Sequence, residues 1–154
     1  MSDIEPTGDP RVLSVFVYGT LKRGQCRESA WPAGPKEIVP GWVHGDLWGR
    51  DDYPALLPGG HRVRGELYRY EGDSIDEVLS TLDQIEGTDG NSPSDLYHRH
   101  VIDAFCQAAV PTDRGTGPDR ETRKERAYAY FYNRDPAADG FVRITPVAGW
   151  QSWP

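Results

Sequence analysis

The 154-residue chain has only two cysteines, Cys26 and Cys106, 80 positions apart. Such a pair is neither a disulfide framework nor a metal-type spacing, so a reducing setting is expected. Basic residues are also few: 17 Lys and Arg stand against 24 Asp and Glu, for a net charge of −7. Nucleic-acid binding needs clustered cations to neutralise phosphates, and the balance here excludes that class. No apolar run approaches the roughly 18–20 residues that cross a bilayer, so no membrane partner is expected. The stretch Met1-Ser2-Asp3-Ile4-Glu5-Pro6 is acidic and polar, unlike a signal peptide, and a cytoplasmic protein is the expectation. A Gly-x-Ser-x-Gly elbow, the Gly-Lys-Ser/Thr ending of a P-loop and internal repeats are all missing.

What is present reads as one domain over 11–154 behind a flexible leader at 1–10, which carries Pro6, Gly8 and Pro10. Val12–Val17 is a β-branched run whose near-continuous hydrophobicity predicts a strand buried on both faces. A loop or short helix is expected around Cys26–Trp31. Val39–Trp48 and His61–Tyr70 alternate as strands, with Pro58-Gly59-Gly60 between them as a turn signal. Tyr97–Ala108 and Arg126–Tyr132 read as two further strands, joined by a charged, mobile hairpin loop. Residues 74–86 form a helix, with Ser74 and Glu77 in capping-box spacing and Gly87 as its stop. This pattern predicts an α+β fold, a small mixed β-barrel or curled sheet with flanking helices.

Two stretches hold candidate chemistry. At about 100° per residue from Ile75, Glu86 falls near 20°, inside the apolar stripe that Leu79, Leu82 and Ile85 define. A core-facing carboxylate in a last turn is disfavoured by desolvation and by the helix dipole, and both push its pKa up toward the range of a general base. The competing reading is that the last turn frays and the side chain meets solvent. The second stretch is Tyr18-Gly19-Thr20-Leu21, where the first strand empties into a glycine turn followed by Lys22 and Arg23. Such a turn either reverses the chain or presents successive N–H groups to an anion or carbonyl oxygen. His98 and His100 share a strand face, but no third metal ligand is signalled beside them.

In order, "YGTLKRG", "YPAL", "VRGELY", "LDQIEG", "YHR" and "AYAYFY" span roughly residues 13–132. This series resembles the γ-glutamylcyclotransferase-like proteins, in particular their AIG2-like and γ-glutamylamine cyclotransferase branch. Residues 111–126 depart from it, being longer and more charged than the usual hairpin there. The resemblance implies a small mixed β-barrel with flanking helices and gives Glu86 the role of catalytic acid/base. It implies that Tyr18, Gly19, Thr20 and Leu21 line the substrate cavity, and that Tyr97 and Tyr130 are cavity-wall candidates. The implied substrate is a small γ-glutamyl amide whose own α-amine closes on its γ-carbonyl, giving 5-oxoproline and a free amine. That chemistry calls for neither metal nor organic cofactor. The alternative within the same resemblance is a non-catalytic small-molecule binding or regulatory member. The sequence does not fix the leaving amine or the oligomeric state.

Overall fold

Ser14–Val17 (β1) is buried along its whole length, and the reason is visible in the side chains it sends each way. Val15 and Val17 face a cluster with the helix, whereas Phe16 and Tyr18 face a second cluster inside the sheet. A strand with two dry faces has no place for polar alternation, which explains its apolar run. These statements come from a computed structural model that describes residues 12–19, 34–112 and 115–153, with side chains outside 108–121. The leader expected over 1–10 and the segment Cys26–Trp31 lie outside the described residues.

The remaining elements follow as β2 (Glu37–Gly49), β3 (Pro54–Arg69), α1 (Ile75–Glu86), β4 (Tyr97–Thr112), β5 (Gly115–Tyr132), β6 (Val142–Arg143) and β7 (Trp150–Gln151). β3 pairs antiparallel with both β1 and β2, β2 pairs with β4, β4 with β5, and β5 returns to β1 in parallel through Val15 and Tyr128. The five strands therefore close a ring, and the parallel seam makes the sheet mixed. The expected α+β architecture of a small barrel or curled sheet is what the chain adopts, with a single α-helix among the described residues. No helix among those residues is long and apolar enough to cross a membrane.

The "AYAYFY" stretch shows how sequence sets this packing. Ala127 and Ala129 point into the barrel beside Phe16, Leu47 and Leu67, where only small side chains fit between larger ones. Tyr128, Tyr130 and Tyr132 point the other way, into the layer covered by Ile75, Val78, Leu79 and Leu82 of α1. Gly65 is needed for a similar reason, because a Cβ there would overlap the Val17 carbonyl and the Phe16 ring.

Three local expectations are corrected. Pro58-Gly59-Gly60 is no chain reversal: β3 runs through it, and the residues form an unpaired bulge between Leu57, opposite Asp46, and His61, opposite Gly45. The reversal lies at 50–53, where Arg50 N–H donates to the Tyr53 carbonyl at 3.1 Å, in agreement with the reading of Asp51–Leu57 as a turn and short extended piece. The charged loop expected over 111–126 is mostly strand, since β4 continues to Thr112 and β5 begins at Gly115. Finally, Ser74 sits at the helix N-cap with helical angles and makes no side-chain cap bond, so the predicted capping box does not form.

The C-terminal tryptophans fold back onto the barrel. Trp150 lies 5.4 Å edge-on from Trp42, with the Arg62 and Arg64 guanidiniums 4.2 and 4.1 Å above its ring. Gln151 is almost fully buried; its Oε1 accepts from Leu47 N–H at 2.7 Å and its Nε2 donates to the Ile144 carbonyl at 2.6 Å. A buried amide satisfied this way acts as a strand cross-link.

Candidate active site

α1 ends at Glu86 because Gly87 takes the left-handed conformation, φ 70°, that side chains disfavour. Gly87 N–H donates to the Gln84 carbonyl at 3.3 Å and Thr88 N–H to the Asp83 carbonyl at 2.8 Å, closing the last turn. The chain then returns alongside: Leu96 N–H donates to the Gly87 carbonyl, and Thr88 Oγ1 to the Tyr97 carbonyl at 2.7 Å. The last turn is therefore held on both sides rather than frayed, and Glu86 is half-buried.

A cavity of about 60 Å³ opens beside it, lined by Tyr18, Gly19, Tyr53, Pro54, Ile85, Glu86, Leu96 and Tyr97. The helix end and the exit of β1, 68 residues apart in sequence, meet at this cavity. Of the residues singled out from sequence, Tyr18, Gly19, Glu86 and Tyr97 line it; Thr20, Leu21, Lys22 and Arg23 lie outside the described residues. Tyr130 is not on the lining, but its carbonyl accepts the buried Tyr18 hydroxyl at 2.6 Å. Tyr97 donates to the Pro54 carbonyl at 2.9 Å and stacks edge-on against Tyr132. Burial raises the pKa of both Tyr18 and Tyr97, and the charge of Glu86 adds to it, so each remains a neutral hydrogen-bond donor.

Gly19 has a plain steric reason to be glycine. A Cβ there would stand 2.7 and 2.8 Å from Cγ and Cδ of Pro54, inside normal contact, and its φ is not positive. The requirement comes from Pro54. Tyr53 and Pro54 were legible only as part of the "YPAL" stretch, which assigned them no role. Nothing in the spacing of Ile85 or Leu96 pointed to a cavity. The His98 and His100 pair lies elsewhere, with His98 Nε2 2.8 Å from the Ser92 carbonyl.

Over residues 15–151 the sequence matches the family described as Gamma-glutamyl cyclotransferase, AIG2-like. The chain belongs to this family. Its fold is similar to that of an AIG2-like protein from Mus musculus, at 22% identity and a TM-score of 0.57, covering 94% of this chain and 97% of that one. It is also similar to YkqA from Bacillus subtilis, at 19% identity and a TM-score of 0.53 over 87% of this chain. The chain spans only 38% of the length of YkqA. No curated protein matches the sequence. At these identities the likeness is one of fold.

Proposed function

We propose that the protein is a γ-glutamyl cyclotransferase that converts a γ-glutamyl amide to 5-oxoproline and a free amine, with Glu86 as general acid/base. The observation that supports it most is the meeting of Glu86 with Tyr18 and Gly19 on one cavity, in a chain of this family. The reaction supplies its own nucleophile. Glu86 takes a proton from the α-ammonium, and the freed amine attacks the γ-carbonyl carbon. The bond to the leaving nitrogen then breaks. Two protons in all pass from the α-nitrogen to the leaving nitrogen, and Glu86 carries them.

Because the attacking amine is tethered, holding the substrate bent contributes most; orientation of this kind is worth about 7–11 kcal/mol. The main-chain amide of Gly19, on the cavity lining, would grip a substrate carboxylate or the developing oxyanion. Tyr97 and Tyr53 add two aromatic rings to the lining, 6.4 Å apart and tilted by 53°. Ile85 and Leu96 make part of the lining apolar, which suits the methylene chain of a γ-glutamyl group. The test is incubation with a panel of γ-glutamyl amines and dipeptides, following 5-oxoproline. Release from at least one member is expected. No release from any, with intact binding of a γ-glutamyl compound, would instead identify a binding module.

A further inference from the structure

Asp83 lies one turn before Glu86 on α1 and is not part of the cavity lining, yet both of its carboxylate oxygens are engaged. Its Oδ2 accepts from Arg99 Nη1 at 2.7 Å, and its Oδ1 accepts from the Tyr130 hydroxyl at 2.6 Å. Arg99 and Tyr130 are directly opposite each other across the β4–β5 ladder. One carboxylate thus bridges the helix to two neighbouring strands at a single rung. Residue 130 carries the link onward, since its carbonyl receives the Tyr18 hydroxyl at 2.6 Å.

The two carboxylates are a like-charged pair at i, i+3, at the negative end of a helix whose last turn holds no basic residue. That arrangement is unfavourable unless a cation comes from elsewhere, and Arg99 of β4 provides it. The Tyr130 phenol is kept protonated, by burial first and then by Asp83, so it donates throughout the working pH range. Both contacts to Asp83 are only partly exposed, where charge-assisted bonds hold more strongly than on open surface.

We propose that Asp83 is a positioning residue that locks the last turn of α1 onto Arg99 and Tyr130 and thereby fixes Glu86 against the Tyr18 side of the cavity. The inference rests on the cyclotransferase reading for its catalytic consequence, but the lock itself does not. Asp83 touches no reacting atom, and it acts through the placement of Glu86. A misplacement of about 1 Å at a catalytic group can lower turnover on the order of 100-fold, so a lock of this kind has a measurable consequence.

The experiment compares wild type, Asp83→Ala, Asp83→Asn and Tyr130→Phe as full chains, by steady-state 5-oxoproline kinetics and by native-state amide exchange. In Asp83→Ala, kcat is expected to fall roughly 10- to 100-fold with KM changed by less than about two-fold. The Gly87 and Thr88 amides, which close the last turn, should exchange about 10-fold faster, while those of Leu79 and Leu82 keep their rates. Helix propensity alone predicts the opposite, because alanine is the better helix former. Asp83→Asn keeps an acceptor for Tyr130 and should recover part of both losses. Should Asp83→Ala fail to fold, Tyr130→Phe removes one strut only and is expected to move kcat and exchange in the same direction.

Wild-type protection of Gly87 and Thr88 in these variants, or an unchanged kcat, would overturn the lock. If exchange responds but wild type releases no 5-oxoproline from any γ-glutamyl amide, the lock stands while its catalytic purpose is overturned with the functional reading.

Discussion

Gly19→Ala is a perturbation whose effect can be worked from distances. Apolar carbons rest about 3.5–4.0 Å apart, so a Cβ at 2.7 and 2.8 Å from the Pro54 ring overlaps it by roughly 0.7–1.3 Å. A proline ring cannot rotate out of the way, and its carbonyl is held by the Tyr97 hydroxyl. Relief must come from backbone movement of β1 or β3, and overpacking of this sort costs about 1–3 kcal/mol. Against this, replacing a glycine whose φ is not positive stabilises by about 0.4–1 kcal/mol through the unfolded chain. The overlap wins, with a net loss of about 1–2 kcal/mol. For a chain of this length, about 2–4 °C per kcal/mol converts that loss to a Tm lower by roughly 2–8 °C. Pro54→Ala removes both offending carbons, so the pair should couple by at least about 1 kcal/mol in a double-mutant cycle. Thermal melts of wild type, the two single variants and the double variant decide it. A Gly19→Ala protein that melts with wild type, or a cycle with no coupling, would refute the steric argument.

Two further outcomes follow from titrating groups. Tyr18, Tyr70, Tyr97, Tyr130 and Tyr132 are each raised above the ordinary phenol value, with burial the leading cause. Ultraviolet titration of the folded protein at about pH 11 should therefore ionise at most three of its eight tyrosines, and the rest only on unfolding. Ionisation of all eight in the folded state would contradict the packing described. For Glu125, burial pushes the carboxyl up, but the bonds from Arg69 and Ser14 outweigh it and leave the pKa lowered. A carboxylate lowered in the folded state adds stability above its unfolded value of about 4.3, and loses it as pH falls through the folded value. Glu125→Gln should flatten the decline of Tm below about pH 4.3; parallel declines in the two proteins would count against this.

How much of this was legible in the sequence depended on whether one residue pattern had one physical solution. The apolar run of β1 could only belong to a strand with two covered faces, and the helix over the barrel supplies the second cover. Glu86 could be placed on the core side of α1 by angle alone, and Gly87 marked where the helix had to stop. Pro58-Gly59-Gly60 failed because the same residues serve a turn or a bulge, and only pairing with β2 selects between them. Ser74 failed because capping depends on the backbone angles of one residue, which its neighbours decide. Arg99 and Tyr130 could not be linked to Asp83 from spacing, since the β4–β5 register that aligns them is a long-range fact. Gly19 was noticed for its flexibility, whereas its packing partner Pro54 was invisible until β3 was laid beside β1.

Glu86 is the one carboxyl to which the proposed reaction assigns proton transfer, and the most direct measurement is 5-oxoproline release by Glu86→Gln beside wild type on whichever γ-glutamyl amide wild type turns over. The change keeps the shape of the side chain and removes its capacity to take and return a proton. Turnover should fall about 10²- to 10⁴-fold, with Tm unchanged within about 2 °C. A Glu86→Gln protein that releases 5-oxoproline at the wild-type rate would contradict the assignment.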